Sequence, residues 1–505
     1  MKLINKLFSL TLITVAMMAA LTSCSGSSDM TELIPADVQF AARINLRQPL
    51  ENGGFTIDKD GKITLPDVLQ KELNGNPGVA MSLQMALSAI EGTDIAECYV
   101  FSCKDGTDCV LLRLTDADKV EKTLKTYLGE PRKNDGTSYF DVDGFCFIID
   151  DDILWGVDKV ADVAKIKAAA KEKNIASISS INQLLASNDN TFALAVSPKA
   201  IDVPQIAKYW GCLSLKFEGN VSEGEFALVD ADGQRYPFGD AFGTVDTDIL
   251  NYFPANSNVV AVLGPVKDAS LKKYINKFAS QMGDMSDLLT GLDGTIGAAA
   301  YIPSSLAGLT SLEDVVGLEG SLLAKYKPAA LNNIISTIVT KSQLGGLEVA
   351  QTANGYSTVV DGSTIYFGNL DNYLAISTVP LTKGGNTSFK EAIEGTHGAI
   401  CQKSKVLKSS PMVVDSRTWM ESDCIKAKAT ISGSSKKFIE AYIELLLNPD
   451  AQAEIENLIR AIMNQYRDEY GAAYGYGEGY DYDADIDWDA IDDELVFDDN
   501  DSIVF

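Results

Sequence analysis

A single histidine, His397, stands in the 505 residues of this chain. Ser-His-Asp and Cys-His catalysis each require one, and zinc sites usually take several, so these chemistries have almost nothing to draw on. His397 lies in Gly395-Thr396-His397-Gly398, which reads as a polar turn. Phosphate-cradling and nucleophile-elbow motifs are missing as well: the glycine-rich Leu344-Gly345-Gly346 and Lys383-Gly384-Gly385 read as plain loops. Positive charge is scarce, with 42 Lys and Arg against 70 Asp and Glu and a formal net charge of −28. Such a chain is a poor partner for nucleic acid or a bare anionic membrane. Only four tryptophans occur, at 155, 210, 419 and 488, and their scatter favours core positions over a sugar-stacking platform. Carboxylate-pair hydrolysis stays open, because two acids can converge from anywhere in a chain, but with so many acids their presence diagnoses nothing. No cofactor is expected.

Long apolar runs are also missing, except one near the start. Lys2 and Lys6 precede an apolar stretch from Leu7 to Leu21. At about fifteen residues it falls short of the roughly 20 needed to span a bilayer, and it reads as a secretory signal. Leu21-Thr22-Ser23-Cys24 resembles a lipobox, which places signal-peptidase cleavage between Ser23 and Cys24 and a lipid on Cys24. The thiol supplies the nucleophile for the lipid, and small neighbours let the peptidase reach the bond. Several acyl chains, at about 0.8 kcal/mol per buried methylene, would anchor the mature protein firmly. Residues 24–32 form a lipidated tether, with Ser25-Gly26-Ser27-Ser28 as its flexible part. No aspartate follows Cys24 directly, and only Asp29 is acidic nearby, which favours an outer-membrane, periplasm-facing position.

Seven cysteines follow Cys24, at 98, 103, 109, 146, 212, 401 and 424, so an oxidised monomer keeps at least one free thiol. Cys98–Cys103 and Asp108–Leu114 read as a hairpin around Asp105-Gly106. A two-residue loop there pairs Ser102 with Cys109 and turns Cys103 and Cys109 to opposite faces. Neither a disulfide nor a metal site closes easily, and the cysteines read as small core residues.

The most informative feature is a weak internal repeat. Ile34-Pro35-Ala36-Asp37 leads into the apolar strand Val38–Ile44, and Phe253-Pro254-Ala255-Asn256 leads into Val259–Leu263. Pro35 and Pro254 stand 219 residues apart. Further on, Tyr139–Val142, Asp143-Gly144, Phe145–Ile149 and Ile153–Val157 match Tyr356–Val360, Asp361-Gly362, Ser363–Phe367 and Tyr373–Ser377, and the turn aspartates are 218 apart. Each Asp-Gly supplies the positive φ of a tight hairpin. Helices are expected from Thr115 as cap through Leu128, from a cap near Asp268, and at Val160–Lys173, Pro328–Lys341, Ser435–Leu447 and Asp450–Gln465. In the first of these, Val120, Leu124, Tyr127 and Leu128 share the apolar face. Strands are expected near Leu213–Gly219, Glu225–Val229 and Ile425–Ile431. Hairpins mixed with helices point to an α+β class, with two related halves at 33–235 and 236–465 after a signal peptide at 1–23. The lipobox, the Ile-Pro-Ala-Asp opening and the Pro-Ala repeat resemble an uncharacterised lipoprotein family of Bacteroidota with a large domain of unknown function. The resemblance covers roughly residues 30–465 and carries over no catalytic residue.

From Tyr466 the composition shifts: residues 466–505 hold fourteen acids against Arg467 alone. Self-repulsion and glycine entropy mark this segment as disordered. Asp481, Asp483, Asp485, Asp487, Asp489 and Asp492 imitate calcium-loop spacing, but such a loop wants glycine sixth and glutamate twelfth, where Ile486 and Asp492 stand. Leu495-Val496-Phe497 and Ile503-Val504-Phe505 are apolar islands in the acidic field, and Val504 and Phe505 suit capture of the tail as an added strand by a protein partner. Asp501-Ser502-Ile503 also resembles the short O-glycosylation sequon of Bacteroidota. The sequence therefore leads to a non-enzymatic envelope lipoprotein that binds or scaffolds, with a carboxylate-based hydrolase and a glycan binder as alternatives.

Overall fold

The computed structural model describes residues 30–453, apart from 59–62, 75–91, 143, 201–205, 274–276, 278–291, 303–318, 361, 384, 406 and 408–409. Its frame is a 20-stranded antiparallel sheet. The strands, numbered along the chain, are β1 (Val38–Ile44), β2 (Thr93–Cys103), β3 (Asp108–Leu114), β4 (Arg132–Asn134), β5 (Thr137–Val142), β6 (Phe145–Asp150), β7 (Ile153–Val157), β8 (Phe192–Val196), β9 (Trp210–Glu218) and β10 (Val221–Val229). The second set is β11 (Val259–Leu263), β12 (Leu292–Ala300), β13 (Gly320–Tyr326), β14 (Val349–Thr352), β15 (Gly355–Val360), β16 (Ser363–Leu370), β17 (Tyr373–Ser377), β18 (Gly398–Lys405), β19 (Val413–Met420) and β20 (Ile425–Ser432). A separate two-stranded hairpin joins Thr56–Ile57 to Ile63–Thr64.

The pairings run β4-β5-β6-β7-β3-β2-β1-β8-β9-β10 through the first set. Starting from the far edge, the second set runs β14-β15-β16-β17-β13-β12-β11-β18-β19-β20. Adding ten to each label of the first order gives the second. The two sets join where β10 lies antiparallel to β20, with Glu223 opposite Lys428 and Gly224 opposite Ala427. At this seam Glu223 accepts from Lys428 at 2.8 Å and pairs with Lys216 at 3.0 Å, so its carboxyl sits below the ordinary range. These groups are partly exposed, and such pairs contribute only about 0–1 kcal/mol each.

Strand alternation divides the side chains between two faces. One face carries the two main cores. The first gathers Phe101, Leu111, Trp155 and Ala195 beneath helices Val160–Glu172 and Ser179–Ala186. The second gathers Val260, Cys401, Leu323 and Ala375 beneath the turn Thr247–Tyr252 and helix Lys390–Ile393. The opposite face carries smaller clusters, one with Leu112 and Leu154 beneath helix Ala117–Leu128 and one with Leu331 and Leu374 at helix Pro328–Leu344. Helix Phe438–Leu447 closes on Leu407, Met412 and Ile431. Among the described residues no helix is long and apolar enough to cross a membrane.

Several local expectations shift. The cap of helix Ala117–Leu128 is Asp116, whose side chain accepts from the Lys119 amide at 2.9 Å, one residue past Thr115. Tyr127 and Leu128, expected on its apolar face, are exposed, because the helix meets the sheet through Ala117, Val120 and Leu124. The hairpin register also moves by one. Cys103 donates its amide to Thr107 O, which makes the loop three residues long (Lys104, Asp105, Gly106) and sets Ser102 opposite Asp108 and Phe101 opposite Cys109. Cys103 and Cys109 therefore share a face, and Cys98 takes the other; the opposite-face assignment of Cys103 and Cys109 is corrected.

The seven described cysteines are all free. Burial pushes the thiols of Cys98, Cys212 and Cys424 up to about 12, and those of Cys103 and Cys401 up to about 11. Thiolate is the reactive form, so at pH 8 these groups are nearly all inert. A disulfide-exchange reagent is expected to label native protein at least ~100-fold more slowly than denatured protein, with half-buried Cys103 first. Fast labelling of several native thiols at pH 8 would sink that reading.

Candidate apolar groove on the sheet

The second half presents its second face as an apolar groove of about 430 Å³. Register builds it. Leu322 of β13 lies opposite Ala298 of β12, Ala298 opposite Ala261 of β11, Ala261 opposite Ile400 of β18, and Ile400 opposite Thr418 of β19. Five strands thus contribute one row of side chains, with small alanines in the middle and larger aliphatics toward the sides. Ile296 and Leu263 form the next row, with Gly398 opposite Leu263 and Met420 opposite Gly398. A Cβ on Gly398 would meet Leu263 Cδ1 at 3.1 Å, so glycine keeps the floor low there. Ile425 and Met420 at the groove's end pack beside Phe238, Tyr236 and Tyr209.

No residue lining the groove is ionisable, and Thr418 carries its one hydroxyl. Leu322 and Ile400 are 52% and 55% exposed, high values for aliphatic residues in the middle of a sheet. Chemically the groove offers contact area and no charge, so it suits a hydrocarbon surface.

The other candidate chemistries find less. His397 is buried rather than set in a polar turn, since the Gly264 amide donates to its carbonyl at 2.9 Å and its own amide donates to Met420 O at 2.9 Å. Its Nδ1 has no hydrogen-bond partner among the described residues, and its ring lies against Gly239. Glu421, Asp423 and Cys424 bring three ligand atoms within 4.8 Å of one another. Lys426 holds Glu421 at 2.9 Å and Arg235 holds Asp423 at 3.7 Å, while burial keeps the Cys424 thiol protonated. Protein cations thus already neutralise two of the three groups. Among the described residues, the carboxylates displaced from their ordinary range are Asp105, Glu223, Asp230, Asp246, Asp371 and Glu421, all downward. Lys383 and Tyr252 cause this at Asp371; at Asp246 burial pushes the carboxyl up, but Lys325, the Asp248 amide and the Tyr373 hydroxyl together outweigh it. The exposed tyrosines Tyr127 and Tyr301 stand on a helix of the first half and just past β12, and form no row.

Ser23, Cys24, Asp481, Asp483, Asp485, Asp487, Val504 and Phe505 all lie outside the described residues, as do the turn aspartates Asp143 and Asp361. Trp155, on an expected strand, is a core residue, and so is Trp210, which lay outside the strand expected near Leu213–Gly219. The groove itself escaped the sequence reading. Its trace is that β11 (Val-Val-Ala-Val-Leu) and β12 near Ile296–Ala300 are apolar on both faces, a pattern that marks strands with both sides in apolar surroundings.

No protein-family model matches the chain, and no curated protein does. Two solved structures are similar to part of it, crystal forms IV and III of TP0453. Form IV covers 40% of this chain and 81% of its own, at 9% identity and a TM-score of 0.26. Form III covers 42% and 83%, at 10% identity and a TM-score of 0.24. Likeness at this level carries no argument about fold or activity here.

Proposed function

We propose that the protein is a non-enzymatic lipoprotein of the cell envelope, anchored through Cys24 at the outer membrane and facing the periplasm, that holds an apolar ligand on its sheet. The groove carries this reading: a built row of Leu322, Ala298, Ala261 and Ile400 with no charge among its lining residues. A ligand fixed by directional polar contacts would find only Thr418, whereas a hydrocarbon chain would find contact along the whole row. The downward-displaced carboxylates also fit a binding role better than a hydrolase, whose general acid needs its pKa raised.

The two halves are read as copies of one unit. The repeated strand order, the Pro-Ala openings and the matching Asp-Gly turns support that relation. The acidic tail, as a docking element for a protein partner, belongs to the same proposal and would act beyond the groove.

Ligand binding is tested with N-phenyl-1-naphthylamine, a neutral apolar fluorophore. Burying one isoleucine side chain is worth about 1.5–3 kcal/mol, so Ile400→Glu, which also adds a charge, is expected to weaken probe binding at least ~10-fold. Ala298→Phe, which fills the groove without charging it, should do the same. Equal probe binding by the wild type and both folded variants would remove the groove from the account. Anchoring is tested separately: Cys24→Ala is expected to leave the signal segment uncut and the protein free of acyl label. Unchanged processing and membrane partition in that variant would end the lipoprotein reading.

A further inference from the structure

A second concavity, of about 520 Å³, opens on the opposite face, between helix Lys390–Ile393 and strands β18 and β19. Arg417 lies opposite Cys401, and Cys401 opposite Val260, so the guanidinium stands on the core-bearing face, away from the apolar groove. Among the described residues it has no carboxylate partner. It stacks instead over the Trp419 ring, 4.2 Å from the centroid, and its buried Nε has no hydrogen-bond partner. Stacking covers one face of the guanidinium and leaves its in-plane N–H edge to accept a planar anion. Ser257 lines the same cleft; it is 5% exposed and its buried Oγ also has no partner. Two buried unmatched polar groups in one cleft are costly unless something satisfies them, at about 1–3 kcal/mol each.

We propose that this cleft binds the carboxylate of a small organic ligand. The planar carboxylate matches the in-plane fork of Arg417, and Ser257 Oγ donates to it. Phe389 and Ala392 supply an apolar wall for the body of the ligand. Lys403 is engaged by Asp415 at 3.5 Å, and Glu391 stands at the rim, so the lining balances its own charge. That balance admits a monoanion and disfavours a dianion such as phosphate.

The experiment is ligand-observed NMR on the whole protein with 4-methylpentanoate, its uncharged amide and inorganic phosphate as probes. We expect 4-methylpentanoate to bind with a Kd of about 1 mM, near −4 kcal/mol, and the amide and phosphate to bind at least ~10-fold more weakly. Arg417→Gln should lower carboxylate binding ~10-fold or more, Arg417→Lys less, and Ser257→Ala several-fold, with thermal midpoints recorded for each. Ile400→Glu should leave it unchanged, which separates this cleft from the apolar groove. The proposal is overturned if folded Arg417→Gln binds the carboxylate as the wild type does, if the amide or phosphate binds equally well, or if no probe binds.

Discussion

Trp155→Ala should unfold the first half of the protein at markedly lower denaturant than the wild type. Trp155 sits in β7 between β3 and β6, facing Leu111 on one side and Ile148 on the other. It is fully buried and belongs to the largest apolar cluster among the described residues. Removing a buried tryptophan to the Cβ costs about 3–5 kcal/mol, the lost transfer energy plus the cavity left behind. A domain is stable by only about 5–15 kcal/mol, so this one change removes a large share of it. Trp155→Phe is the informative contrast. The indole Nε1 has no partner, so phenylalanine gives up ring volume while removing an unsatisfied donor. It should cost less than half as much. Chemical denaturation followed by circular dichroism measures both, and a Trp155→Ala midpoint within the shift expected for ~1 kcal/mol would show that the core collapses around the gap.

The elements that proved legible are those whose signal is local. Val38–Ile44, Ile153–Val157, Val259–Leu263 and Tyr373–Ser377 begin and end where the apolar runs and flanking turns place them. Val142 pairs with Phe145 and Val360 with Ser363, the register that the two-residue Asp-Gly spacing predicts. The hairpin at Asp105-Gly106 misled for the same reason: its real loop takes three residues, and one residue of slip moves Cys103 to the other face relative to Cys109. Leu292–Ala300 gave no strand signal, since glycine and alanine have little β propensity, although the sheet uses them for a low floor. The groove and the cleft were illegible for a deeper reason. Leu322, Ala298, Ala261 and Ile400 come from four strands, and Ser257 and Arg417 are 160 residues apart. Only the pairing of β11 with both β12 and β18 brings these sets together.

Gly264→Ala should be the most damaging small substitution near the groove. A Cβ at Gly264 would stand 2.0 Å from the carbonyl oxygen of Gly243 and 2.8 Å from its carbon. Both obstacles are backbone, and the segment is pinned: Gly243 N donates to Pro265 O at 2.6 Å, and Gly264 N to His397 O at 2.9 Å. No rotamer change can relieve the clash, so the end of β11 must part from the 241–245 segment. Overpacking of this kind typically costs about 1–3 kcal/mol, and this case should reach the top of that range. Gly398→Ala is the milder control, because its new Cβ would meet the movable end of Leu263 at 3.1 Å and the Val262 carbonyl oxygen only at 3.3 Å, against 2.0 Å for the carbonyl at Gly264. Gly264 also adjoins Leu263, a groove residue, so parting that strand end should weaken apolar-probe binding along with stability. Thermal midpoints and N-phenyl-1-naphthylamine titrations of both variants separate the cases. If Gly264→Ala is no worse than Gly398→Ala in either measurement, the close approach of the two backbones is not what holds that end of the groove in place.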